Sequence, residues 1–104
     1  TLARFGIEII HHFGGGTYAK EARIPQWARL VSHSHPHDHL SILAAGSATV
    51  TVEGVSTFHE APKCILIKAG KTHSILAATD VTWFCIHATD DTDHETVDQT
   101  ILAA

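Results

Sequence analysis

The sequence predicts an all-β domain, a small barrel or sandwich of eight or nine antiparallel strands. Two observations carry this prediction. Apolar residues come in short runs or alternate with polar ones at a period of two, the repeat of a strand rather than a helix. Turn-forming residues break these runs at short, regular intervals, as in all-β folds. A third observation sets the scale: 104 residues, 44% of them apolar, suit one domain with a modest core and no second domain. The core is expected over about residues 17–89, with residues 90–104 as a polar C-terminal tail.

In chain order the expected strands are Phe5–His12, Thr17–Ile24, Arg29–His35, His39–Ala45, Ala48–Glu53, Ser56–Glu60, Cys64–Ile67, His73–Ala77 and Val81–Ala88. Between them lie Gly14-Gly15-Gly16, Pro25, Pro36-His37-Asp38, Gly46, Glu53-Gly54, Ala61-Pro62, Ala69-Gly70-Lys71 and Thr79-Asp80. Each break has recognised turn chemistry. The triple glycine is a flexible turn and not a phosphate loop, because no helix follows it. Residues from Thr89 onward read as a loose tail, with a short strand or helical turn as the alternative.

Charge and hydropathy narrow the function classes. The chain has a net charge of −4 and only seven Lys and Arg, which gives nucleic acid no obvious footprint. No apolar stretch is long enough to span a membrane as a helix. The start, Thr-Leu-Ala-Arg-Phe-Gly, lacks a signal peptide's charged segment and apolar run. The absence of Met leaves a processed or truncated N-terminus open. Cys64 and Cys85 sit in apolar runs and read as reduced, buried thiols, with a cross-strand disulfide as the alternative.

Ten histidines are the anomaly in composition, and protonating all of them would turn the charge from −4 to +6. Four fall in one segment, Ser32-His33-Ser34-His35-Pro36-His37-Asp38-His39. Residues two apart on a strand share a face, so His33 and His35 present their imidazoles side by side. Pro36 cannot donate to a ladder, so the chain turns there and His39 opens the next strand. His73 follows a second turn, Ala69–Thr72. Four neutral nitrogens suit one divalent transition metal: Fe, Mn, Zn, Ni or Cu. The plainer reading is a loop of exposed histidines that binds metal only adventitiously. His37 is expected in solvent, with the alternative that it replaces one of the four. His87 alternates with Trp83 and Cys85, and either faces the interior beside the metal or lies on the surface. His11, His12, His59 and His94 read as surface or strand-end residues.

These residues resemble the two motifs of the cupin superfamily. The first motif, His-x-His, three or four residues, Glu, six residues, Gly, reads here as His33, His35, His39 in place of Glu, and Gly46. The second, centred on Pro-x-Gly-x-x-His, reads as Lys68-Ala69-Gly70-Lys71-Thr72-His73, with the proline lost. The first motif's leading Gly falls at Trp27, the second's leading Gly at Pro62 and its closing Asn at Ala77. The resemblance spans Ala22 to His87. Further wording, such as Asp38-His39-Leu40-Ser41, is similar to small cupins of phage and bacterial genomes.

The resemblance implies a jelly-roll fold and a metal held by His33, His35, His39 and His73. Glu→His at position 39 removes a negative charge from the ligand set. The expected function is metal binding, with dioxygenase-like chemistry on a small oxygen-chelating substrate, positioned by His87 or Ser41. The alternatives are a non-catalytic metal or ligand binding module, and a structural component of a phage-like assembly, so a cytoplasmic or a virion-associated location stays open. Leu40, Ile42, Ala44 and Leu76 make the faces opposite the histidines apolar as well. Sheets apolar on both faces need cover on both, which implies a homo-oligomer, a dimer or larger.

Overall fold

Two sheets face each other across the core. The computed structural model describes residues 6–32, 34–93 and 95–97. Within these, the strands are β1 (Glu8–Gly14), β2 (Thr17–Ile24), β3 (Arg29–Ser32), β4 (His39–Ala45), β5 (Ser47–Val52), β6 (Val55–Glu60), β7 (Lys63–Ile67), β8 (His73–Ala77) and β9 (Val81–Ala88). One sheet has the order β1-β2-β9-β4-β7 and the other β3-β8-β5-β6. Every pairing is antiparallel. No ladder joins the two sheets among the described residues, so the predicted jelly roll is a sandwich and not a closed barrel.

Local chemistry sets the strand ends. Gly15 and Gly16 join β1 to β2 with φ of 59° and 70°. A type I′ hairpin needs positive φ at both positions, which glycine supplies without strain. The hairpin uses only those two residues, so β1 runs on to Gly14, past the expected end at His12. The described part of β3 stops at Ser32, short of the expected His35, which lies in the connection to β4.

Alternation along the strands builds the core. On β4, His39, Ser41 and Leu43 are buried while Leu40 and Ala44 are exposed. On β8, His73, Ile75 and Ala77 are buried. On β9, Val81, Trp83, Cys85 and His87 all face inward. Ile24, Leu43, Val50, Ile75 and Trp83 form the apolar centre. Burying each such side chain contributes roughly 1.5–3 kcal/mol, so the interior face is strongly specified and a register slip is disfavoured.

Gly46 has a steric reason to be glycine: with φ at 85°, an added Cβ would collide with the Asp80 carbonyl oxygen. Trp27 occupies the place of the first motif's leading glycine and keeps a glycine's backbone, with φ at 71°. Its N–H donates to the Ala77 carbonyl at 2.8 Å, which holds that conformation.

One expectation needs correction. Cys64 is exposed and not buried, because its place in β7 turns it to the outer face opposite Ile42. Cys85 is buried on the inner face and both thiols are free, so they form no disulfide. Beyond Thr89, Val97 is fully buried against Tyr18 and Phe13, and its N–H donates to the Asp93 carbonyl at 2.9 Å. The rest of the expected tail, from residue 98 on, lies outside the described residues.

Candidate metal centre

Four histidines meet at the end of the sandwich where β4 and β8 begin and β9 ends. His39 is the first residue of β4 and His73 the first of β8. His87 is the last inward residue of β9. His35 comes from the connection before β4. That connection is tied down in three places. The His35 carbonyl accepts from Gly70 N–H at 2.8 Å. An Asp38 carboxylate oxygen accepts from Ala69 N–H at 2.8 Å. Lys68 lies 3.6 Å from Asp38. The Ala69 N–H, with the Lys68 charge, holds the Asp38 carboxyl below its usual range.

The rings converge. Centroid separations are 4.5 Å for His35 and His87, 4.6 Å for His39 and His87, and 5.1 Å for His35 and His39. His73 lies 5.8 Å from His39. Ligand atoms of His35, His39 and His87 all fall within 4.8 Å of one another. Those of His39, His73 and Cys85 do the same, so His39 belongs to both groups.

Burial makes these rings unusual. His39, His73 and His87 are only 5%, 1% and 2% exposed. Both ring nitrogens of His39 and His73, and Nδ1 of His87, are buried without a hydrogen-bond partner. Buried polar atoms are normally paired, and each orphan is costly. A bound cation would satisfy several at once, and histidine is a common ligand for it. The donor set therefore fits a divalent transition metal.

Electrostatics keeps the rings ready to bind. Burial, then the neighbouring histidines, lowers the pKa of His39 to about 4, with Asp38 opposing weakly. Burial and then His35 lower His73 to about 4. Burial, His35, His39, His37 and Lys20 lower His87 to about 3. All three are neutral at pH 7, the form a metal needs.

Of the residues expected here, His35, His39 and His73 reach the cluster. His33 lies outside the described residues, and so does His94. His87 takes the interior alternative. Ser41 is fully buried, with its hydroxyl 3.6 Å from Cys85 Sγ. Trp83 Nε1 donates to the same sulfur at 3.3 Å. Burial raises the Cys85 thiol pKa above its ordinary value, while the Ser41 and Trp83 contacts oppose the rise. Sequence reasoning did not place Cys85 beside histidines; its alternation with His87 on one strand face was the available signal.

His37, expected in solvent, is half-buried, with Nε2 unpartnered and its ring 5.9 Å from His87. The turn that carries it is pulled in by the Asp38 and His35 hydrogen bonds. His11, expected at the surface, is also only half-exposed, and its Nδ1 lies 2.6 Å from the Tyr18 hydroxyl. The Tyr18 ring stacks on His87 at 6.3 Å. His12 bonds Glu21 at 2.8 Å on the opposite face.

No family model matches the chain, and no curated protein matches it. Solved structures do match. A cupin superfamily protein from Desulfitobacterium hafniense superposes with a TM-score of 0.69 at 13% identity, over 81% of this chain and 78% of that one. KdgF from a Halomonas species gives 0.69 at 16% identity, over 83% and 82%. Salicylate 1,2-dioxygenase from Pseudoaminobacter salicylatoxidans gives 0.71 at 15% identity, over 80% of this chain and 25% of that one. At these identities the likeness establishes the fold. The sandwich of five and four antiparallel strands and these superpositions give one conclusion: the chain has the cupin fold.

Proposed function

We propose that this chain binds one divalent transition metal at the histidine cluster and presents it to a small ligand that chelates through oxygen. His39 is the central ligand. Its partners are drawn from His33, His35, His73 and His87. The observation that carries the reading is the set of buried, unpartnered ring nitrogens on His39, His73 and His87. An all-nitrogen ligand set leaves the ion its full positive charge, which favours an anionic oxygen donor as the next ligand.

When bound, the metal would act as a Lewis acid or redox centre. The chain's own contribution is positioning. β4, β8 and β9 hold the rings, and the sandwich excludes water from them. A dioxygenase-like reaction is the enzymatic form of this reading. The shared fold of salicylate 1,2-dioxygenase agrees with it, although this chain matches only 25% of that protein. A binding module without turnover is the second form, favoured by the lack of a first-motif Glu to serve as a base beside the ion.

The partner we propose is a second copy of the chain. Leu40 and Leu66 are cross-strand neighbours, 51% and 52% exposed, on a face that also carries Ile42, Phe84 and Ile86. Towards β1 the same face turns polar, with Glu21 bound by His12 and Arg23. The apolar part is therefore a bounded patch of the kind that marks an interface.

Catechol titrated into the iron(II)-loaded protein under air tests the function. Oxygen uptake with ring cleavage supports the enzymatic form, and a spectral change without uptake supports the binding form. No response to catechol or to other chelating oxygen donors contradicts ligand presentation.

A further inference from the structure

We infer that Cys85 is a metal ligand, so that His39, His73 and Cys85 form a soft seat for a thiophilic divalent ion such as zinc or cobalt(II). The inference rests on the metal-binding reading above and adds a sulfur to it. Three observations meet at this sulfur.

The first is convergence. The ligand atoms of His39, His73 and Cys85 lie within 4.8 Å of one another, and all three residues are buried. They come from β4, β8 and β9, so both sheets contribute. The second is the state of the two imidazoles. At 5% and 1% exposed, neither has a hydrogen-bond partner at either ring nitrogen. Cys85 belongs to the apolar core cluster, and the two unsatisfied rings lie beside it there.

The third is the surroundings of the sulfur itself. The Trp83 indole N–H is a donor only, so at 3.3 Å the sulfur must accept from it. The Ser41 hydroxyl, at 3.6 Å, is free to donate as well. Thiols are weak acceptors, and two donors converging on one buried sulfur suit a thiolate better. Hydrogen bonds to a ligating cysteine sulfur also tune the metal it holds.

Binding is a simple exchange. The S–H bond breaks, a sulfur–metal bond forms, and the thiol proton leaves to solvent. No oxidant or reductant is involved. Thiolate with imidazole favours zinc, cobalt(II) or copper over magnesium or calcium. The His35 and His87 side of His39 offers nitrogen only, so the two sides of one ring differ in softness.

Cobalt(II) loading of the full chain tests this, because a cobalt–thiolate bond gives an intense near-ultraviolet charge-transfer absorption. The wild type and Cys64→Ser should both show it, since Cys64 lies on the opposite face of the sheet. Cys85→Ser and Cys85→Ala should lose it and bind zinc at least about tenfold more weakly. Visible ligand-field absorption should persist in both, and circular dichroism should report an intact fold. Ligand-field bands without charge transfer in the wild type would overturn the role of Cys85 and leave the histidine reading standing. Charge transfer that survives in Cys85→Ser would also overturn it. Failure of the wild type to bind cobalt or zinc at all would remove both readings.

Discussion

The His39 ring lies 4.6 Å from the His87 ring, centroid to centroid, although the two residues sit on different strands of the sheet. β4 and β9 are neighbours, and Leu40 pairs with Ile86, so adjacent inward residues bring the two imidazoles together. His39 also faces His73 on the second sheet, 5.8 Å away. It is the hinge of the candidate centre. His39→Ala is therefore expected to weaken zinc binding more than any other single histidine change. His87→Ala should weaken it by at least about tenfold, and His59→Ala should leave it unchanged. Competition titration against a chromophoric chelator checks the order. Equal effects of His39→Ala and His59→Ala would contradict it.

Acid should destabilise the metal-free protein in a defined window. Burial holds His39 and His73 down to about 4 and His87 to about 3, against 6.5 for the free side chain. A lowered folded-state pKa means that the unfolded chain binds protons the folded chain refuses. Stability is then complete above about 6.5. It drains as pH falls towards 4 for His39 and His73, and towards 3 for His87. Thermal melts of chelator-treated protein between pH 7 and pH 4 should show a fall of several degrees. A flat profile over that range would show that the rings are not buried as described.

Trp27 gives a stability test independent of metal. A non-glycine residue in the left-handed region is strained by roughly 1–2 kcal/mol, and Trp27 has φ at 71° while 69% exposed. Little burial is lost by removing its ring. Trp27→Gly should raise stability by up to about 1 kcal/mol in urea unfolding, after the entropy of the added glycine is subtracted. A clear loss of stability would mean that the ring packs against something, for example a second copy of the chain.

Strand parity made much of this legible. His39, Ser41 and Leu43, or His73, Ile75 and Ala77, alternate with residues that face outward, and the structure keeps that alternation. β9 was harder to read. Both its faces are apolar, Trp83 and Cys85 on one and Phe84 and Ile86 on the other, so periodicity alone did not orient His87. The same ambiguity hid Cys64, whose run Cys-Ile-Leu-Ile is apolar on both parities. It ends on the outer face because the register with β4 sets Ile67 beside the buried His39 and Cys64 beside Ile42. The convergence of Cys85 with His39 and His73 depends on β4, β8 and β9 meeting across two sheets, which spacing within one segment does not encode. Gly46 was legible only as a turn and a motif position; its reason, the close approach of the Asp80 carbonyl oxygen, comes from the structure.

The outer face predicts self-association. Covering the exposed halves of Leu40 and Leu66 contributes on the order of 1 kcal/mol each, and Ile42, Phe84 and Ile86 extend the patch. Light scattering at micromolar concentration should give a dimer or larger species for the wild type. Leu66→Lys should shift it to monomer without loss of the circular dichroism spectrum. A monomeric wild type would contradict the proposed partner.

Elemental analysis of protein purified without a histidine tag tests the central claim most directly. After reconstitution and removal of excess ion, the account predicts about one divalent transition metal per chain, because buried, preformed ligands hold metal tightly. Less than about 0.2 metal per chain would contradict it, and the unpartnered rings of His39, His73 and His87 would then need another explanation.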